Sequence, residues 1–324
     1  MAPLITIGLP TYERLAYLQE AVASALAQTH APIEVLISDD GPGTEIGPWA
    51  QTLAQQYPRV RYRKNARNLG LAGNWNAVVD AAQGEWLVLI GDDDRLLPDF
   101  VEKLAELIQP DLSVVFSNHH IIDEHGQRLA EASRQQTVTY ARDQIPSGRL
   151  ADPEICVWRN AIPICSALVR TADARRLRFK EDLNTPEIEL FLRLARAGAG
   201  FAFRPDYLME YRTHPLSATT AGLWGERLAE YLLQMETSVD VEPWKRQFMA
   251  GLLPGAVTRC LLQGNAARAR EYSSSPYYPA SGPGTAVRLT QRLCAALPGG
   301  CALYRVLFSL RHKGLATTRP PRVS

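Results

Sequence analysis

The chain has 324 residues, 46% of them hydrophobic and 21% charged, the proportions of an ordinary globular protein able to bury a sizeable core. A formal net charge of +1 gives no footing for a nucleic-acid partner. No run approaches the ~20 apolar residues of a membrane-spanning helix, and the first residues lack the basic and apolar regions of a signal peptide.

Taken in order, Leu4–Leu9 is an apolar strand that runs into Pro10-Thr11-Tyr12. Leu15, Leu18, Val22 and Leu26 then recur at helical spacing. Ile33–Ser38 is a second strand, with Asp39-Asp40-Gly41 as its turn, and a helical segment follows until Pro58 stops it. Val60–Lys64 is a short strand, Asn68–Gly70 a turn, and Gly73–Ala82 a helix. Trp86–Ile90 is apolar throughout, as a strand buried on both faces must be. After Pro98, Phe100, Val101, Leu104, Leu107 and Ile108 mark an amphipathic helix, and Leu112–Ser117 is the next strand. This alternation predicts an α/β fold with a mostly parallel sheet and right-handed crossovers. Residues 119–160 are polar and weakly periodic, and read as loops and short elements. Cys165–Arg170 is a strand; Thr185-Pro186 opens a helix that Gly198 ends. Phe201–Arg204 and Leu208–Arg212 are two extended segments. From Leu223 onward the pattern is helical, with Pro243, Pro254 and the loop 273–284 as breaks, so the boundary falls at Gly222: domain 1–222, then a helical extension 223–324.

Three adjacent carboxylates, Asp92, Asp93 and Asp94, come directly off the Trp86–Ile90 strand through Gly91. They repel one another unless a cation lies among them, and Mg²⁺ or Mn²⁺ takes one or two carboxylates together with substrate phosphates. Open α/β sheets bind ligands at the carboxyl ends of their strands, where this triplet falls. The alternative is a solvated acidic turn that caps the next helix. The five cysteines, Cys156, Cys165, Cys260, Cys294 and Cys301, stand at no metal-type spacing and read as reduced thiols of a cytoplasmic protein.

An ordered set of segments carries a resemblance: Leu9–Arg14, Ser24–Thr29, Glu34–Gly41, Asn68–Asn76, Gly84-Glu85 and Asp92–Pro98. Over roughly residues 3–220 the chain resembles the family 2 glycosyltransferases, inverting GT-A enzymes that use a nucleotide-diphospho-sugar. The resemblance implies a donor, a UDP-sugar foremost, flanked by Pro10, Thr11 and Tyr12, with Tyr12 stacking on the base. Asp39 matches the carboxylate that accepts a hydrogen bond from the base, while Asp40 fits a turn residue that binds its own backbone. Asn68 and Asn74 line the nucleotide. Asp92 meets the ribose and Asp93 the metal, Mn²⁺ or Mg²⁺, while Asp94 is either a supporting carboxylate or the ligand itself. The usual Asp-x-Asp begins one position earlier, where this chain has Gly91. For the general base, register from Leu192-Arg193 points to Glu187, with Pro186 in place of the usual preceding acid; Asp182 is the competitor. Tyr211-Arg212-Thr213-His214 resembles the motif that closes such catalytic domains, with Arg212 on the diphosphate and His214 on the metal or a phosphate.

No Asp or Glu follows Glu271, while arginines interleave with leucines from Arg288 to Arg311. Basic amphipathic helices of this kind either bind an anionic membrane surface or pack on the catalytic domain. The implied acceptor is a saccharide or a lipid-linked saccharide, in synthesis of bacterial envelope polysaccharide or glycoconjugate at the cytoplasmic side. Two other classes compete. A sugar-1-phosphate nucleotidyltransferase would need a glycine-rich basic loop where Pro10-Thr11-Tyr12 stands. A non-catalytic nucleotide-sugar binder or scaffold would have no use for Glu187 beside an intact triplet.

Overall fold

A computed structural model describes residues 2–214 and 225–316, the last five by backbone alone. The chain forms two compact units, Met1–Leu223 and Trp224–Ser324.

The first unit is built on strands β1 (Ile5–Thr11), β2 (Ile33–Asp39), β3 (Val60–Lys64), β4 (Trp86–Leu89), β5 (Arg95–Leu96), β6 (Leu112–Ile122), β7 (Gly148–Arg149), β8 (Ala167–Arg170) and β9 (Gly200–Arg212). Its helices are α1 (Leu15–Leu26), α2 (Ile46–Gln56), α3 (Gly70–Ala81), α4 (Phe100–Ala105), α5 (Ala130–Thr139), α6 (Pro153–Trp158), α7 (Thr171–Leu177) and α8 (Pro186–Arg196). The strands form one sheet in the order β3-β2-β1-β4-β8-β6-β9-β5, with β7 paired to β9. β1, β2, β3 and β4 are mutually parallel, and β6 and β9 run parallel to each other. β8 pairs antiparallel with both β4 and β6, so most strands point the same way, as in the GT-A fold.

The apolar runs become buried central strands because helices cover both faces. α1 turns Leu18, Ala21, Val22 and Ala25 inward, onto a core that includes Ile5, Ile7, Val35, Trp86 and Val88. Gly8 permits close approach of α3 to β1: a Cβ there would meet Val78 Cγ1 at 2.3 Å.

Three expectations change. The strand expected to end at Ser117 continues to Ile122, because the polar Asn118 and His119 are buried and find partners far along the chain. Residues 119–160 include α5, β7 and α6. The two segments around Pro205 are one strand, β9, whose pairing with β6 shifts register at Ser117–His119, while Asn118 Nδ2 donates to Pro205 O at 2.8 Å.

The second unit comprises α9 (Glu226–Leu233), α10 (Glu242–Gln263), α11 (Ala266–Ser273), α12 (Thr285–Ala296) and α13 (Gly300–Ala316). Pro243 sits in the first turn of α10, where proline costs no backbone bond. Pro254, expected to break the helix, lies inside it. Burial of Leu253, Ala256 and Val257 on either side outweighs the ~3 kcal/mol that an interior proline costs.

Candidate active site

Because β1, β2 and β4 are parallel, the loops at their carboxyl ends open together. They wall a cavity of about 630 Å³. Pro10, Thr11, Tyr12, Asn68 and Asn74 line it, as do Asp92, Asp93, Asp94 and Glu187. Tyr12 is 44% exposed. Asn74 is also a brace: it accepts from Ser38 Oγ at 2.7 Å and Asn65 Nδ2 at 3.0 Å, and donates to Ser38 O at 3.1 Å. Asn68 caps its own turn by accepting from Gly70 N at 2.7 Å.

The two carboxylates after β2 exchange their expected places. Asp39 is absent from the cavity lining; its carboxylate faces back, accepting from Gly41 N at 3.0 Å, Tyr62 Oη at 3.0 Å and Lys64 Nζ at 2.9 Å. Asp40 lines the cavity and accepts from the backbone N–H groups of Leu69 and Gly70 and from Asn65 Nδ2. The reason is the pairing of Asp39 with Lys64 across β2 and β3, which turns its side chain toward that pair.

Each member of the acidic triplet has a different environment. Asp92 accepts from Thr11 Oγ1 at 2.7 Å and Tyr12 N at 3.2 Å, tying the loop after β1 to the loop after β4. Burial pushes its carboxyl up to about 6, with Asp93 adding to the effect and Arg14 opposing it. Asp94 is fully buried and accepts from Arg212 N at 2.9 Å; burial and the neighbouring Asp93 hold its carboxyl well above the usual range. Asp93 Oδ2 lies 2.7 Å from Arg14 Nη1 and 2.9 Å from His214 Nε2. Gly91 makes this fold-back possible, since a Cβ there would meet Asp93 Oδ1 at 2.6 Å and Asp94 Oδ2 at 3.0 Å. Arg14 also lies 3.5 Å from Asp92 Oδ1, so one guanidinium relieves the repulsion between two carboxylates.

Among the described residues no group of three His, Cys, Asp or Glu side chains encloses a metal site. Asp93 Oδ2, on the cavity wall, and His214 Nε2, outside the lining and 2.9 Å from that oxygen, nevertheless put an oxygen and a nitrogen donor side by side, and Mg²⁺ or Mn²⁺ needs only one or two protein ligands when phosphates supply the rest. The residues present fit such an ion.

Arg212 does not reach the cavity. Its buried guanidinium donates to Asp93 O at 2.7 Å, Glu124 O at 3.1 Å and Glu20 Oε2 at 2.7 Å, and it lies over the Tyr17 ring. It clamps the triplet loop from behind. A fork already committed to these acceptors is not available to a diphosphate.

Glu187 sits in the first turn of α8, which Pro186 begins and which Glu189 anchors by accepting from Arg193 at 2.7 Å. Arg193 also donates to the carbonyls of Leu177 and Arg178, fixing the helix. Glu187 Oε2 is buried without a hydrogen-bond partner among the described residues. Burial pushes its carboxyl up to about 7. Asp182 is exposed and outside the lining, while its neighbour Glu181 accepts from Asn76 Nδ2 at 3.2 Å.

Two arginines and a histidine at the site were not apparent as site residues in the sequence. Arg14 stands two residues beyond Tyr12 and looks like any loop arginine. His119 and Arg142 come from the weakly periodic stretch, and both line the cavity.

The sequence profile described as Glycosyl transferase family 2 matches residues 6–168. An uncharacterized glycosyltransferase of Methanocaldococcus jannaschii is 31% identical over 219 residues, which cover 65% of this chain and 71% of the relative. The chain belongs to glycosyl transferase family 2. It spans less than half the length of several other curated relatives. Among solved structures, a Pyrobaculum calidifontis mannosyltransferase in complex with GDP-Man and Mn²⁺ superposes with a TM-score of 0.60 at 14% identity, over 98% of this chain and 89% of the other. Staphylococcus aureus TarS 1–349 in complex with UDP-GlcNAc gives 0.62 at 16% identity, over 96% and 92%. These likenesses identify the GT-A fold.

Proposed function

We propose that this chain is an inverting glycosyltransferase that moves a sugar from a nucleotide-diphospho-sugar to a hydroxyl acceptor. The observation that carries the reading is Glu187: a buried carboxylate with an unpartnered oxygen, raised to about 7, in the cavity that the acidic triplet also lines. General bases work best when their pKa lies near the operating pH. The nucleotide lies against Pro10, Thr11, Tyr12, Asn68 and Asn74, with Tyr12 stacked on the base and Asp40, rather than Asp39, facing it. Asp92 meets the ribose. Asp93 and His214 would hold Mn²⁺ or Mg²⁺, which supplies Lewis-acid neutralisation of charge on the departing diphosphate. Asp94, occupied by the Arg212 backbone, supports Asp93.

In the reaction, Glu187 Oε2 accepts the proton of the acceptor hydroxyl as its oxygen attacks the anomeric carbon from the face opposite the diphosphate. The new C–O bond forms while the bond from the anomeric carbon to the phosphate oxygen breaks, and the nucleoside diphosphate leaves with the electron pair. Configuration inverts.

The second unit supports a membrane-surface setting, consistent with a lipid-linked or envelope saccharide acceptor. α13 exposes Leu303, Val306, Leu307 and Leu310, at spacing i, i+3, i+4, i+7, and α12 exposes Leu289 and Leu293. All formal charges beyond Glu271 are positive. Such helices lie in the interface of anionic bilayers. Among the described residues no helix is long and apolar enough to cross a membrane.

The function is tested by release of nucleoside diphosphate from a panel of UDP- and GDP-sugars with pooled saccharide acceptors. Wild type should turn over at least one donor, with inverted product by NMR, and Glu187→Gln should lose about 10²- to 10⁴-fold. A full-speed Glu187→Gln variant would refute the assignment.

A further inference from the structure

Arg142 stands out in the cavity wall. It is 2% exposed. Its Nε donates to Asn118 Oδ1 at 2.9 Å, its guanidinium lies 5.4 Å from the centre of the Tyr140 ring, and its Nη2 is buried with no hydrogen-bond partner. No carboxylate pairs with it among the described residues, and residues 215–224 contain no Asp or Glu. An arginine cannot escape this position by losing its proton. A buried cation without a counter-ion is strongly unfavourable, so its retention needs an anion that arrives from the cavity.

A second buried group points to the same place. His119 Nε2 hydrogen-bonds Gln136 Oε1, which puts the ring proton on Nε2, and Nδ1 is buried without a partner. Burial and the nearby Arg142 charge push this imidazole down to about 3, so it is neutral and Nδ1 is a bare acceptor. His119, Arg142, Cys165 and Glu187 all line the same cavity. The guanidinium and Glu187 are therefore walls of one cavity.

We propose that Arg142 is a specificity residue that binds a carboxylate or phosphate carried by the substrate in the cavity that Glu187 also lines, with His119 Nδ1 accepting from a substrate hydroxyl. The inference rests on the donor and acceptor assignment above, and it names the substrate class: an anionic sugar, either the one transferred or the one that receives it. A planar guanidinium with a free edge is suited to such oxyanions.

The test uses full-length protein and paired probes that differ in one anionic group. UDP-glucuronate against UDP-glucose examines the donor side. Glucuronate against glucose, and glycerol 3-phosphate against glycerol, examine the acceptor side with UDP and Mn²⁺ present. Calorimetry should give the anionic member of one pair an advantage of about tenfold or more, and the side on which it appears identifies the source. Arg142→Gln should erase that preference while UDP affinity stays within about twofold, and Arg142→Lys should keep part of it. Equal binding within every pair would overturn the proposal. So would an Arg142→Gln variant whose main loss is UDP affinity, since the guanidinium would then serve the diphosphate. If Arg142→Gln does not fold, the wild-type pairs and Arg142→Lys still decide. Absence of any nucleotide binding by wild type would instead sink the donor assignment, leaving the acceptor pairs, repeated without UDP, to judge Arg142.

Discussion

Replacing Glu187 by Gln should improve the fold while destroying the activity, with a defined pH signature. In the native state burial holds the Glu187 proton up to about 7, whereas the ordinary value is 4.5. Between those values the folded protein binds more protons at this site than the unfolded chain, so its stability falls as pH rises through that window. At 1.36 kcal/mol per pH unit the full effect is about 3 kcal/mol, complete above about pH 7. Gln has the same shape and no proton to lose. Urea unfolding of both proteins from pH 4 to 8.5 should therefore give equal stabilities at the acid end. The Gln variant should then gain progressively, to an advantage on the order of 3 kcal/mol at pH 8. Asp92, which is also raised, is present in both proteins and cancels in the difference. In parallel, wild-type transfer should rise with pH and level off above about 7, as an ionised base requires. A stability difference that does not vary with pH would show that Glu187 is solvated or paired, and the argument for it as the base would fail.

Other outcomes follow from single contacts. Asp182→Asn, outside the cavity, should leave transfer within a few-fold of wild type; abolished transfer would move the base to the Glu181-Asp182 turn. Gly91→Ala forces Asp93 away from His214 and Arg14, and should weaken Mn²⁺-dependent nucleotide binding about 10- to 100-fold in calorimetry while the protein stays folded. Replacing Leu303, Leu307 and Leu310 by Ser, or deleting residues 286–324, should abolish co-sedimentation with anionic vesicles, and salt should weaken it for the full chain. Failure of the full-length protein to co-sediment would make those helices packing elements only.

The strands around the site were legible because their periodicity is unambiguous: Trp86–Ile90 is apolar throughout and could only be a buried strand. The triplet stood out because it follows a strand whose direction the pattern determines, and Glu187 was singled out by the family register from Leu192-Arg193. What lay hidden was polar burial. The strand was expected to stop at Ser117, yet Asn118 and His119 sit inside the sheet because Pro205, Arg142 and Gln136, 17 to 87 residues away, supply their partners. The same blindness exchanged Asp39 and Asp40, since the pairing of Lys64 with Asp39 depends on how β3 lies beside β2. Arg212 was read as a phosphate ligand from its motif, but only the folded chain shows its fork filled by Asp93, Glu124 and Glu20. Pro254 obeyed packing over local propensity.

The central claim is that this cavity holds a nucleotide-diphospho-sugar through a metal on Asp93 and His214. Isothermal titration of UDP and GDP into the full chain, with Mn²⁺ and then with EDTA, tests it most directly when repeated on Asp93→Asn. The account predicts saturable binding of one nucleotide with Mn²⁺, and its loss both in EDTA and in the variant. Equal affinity under all three conditions would contradict it.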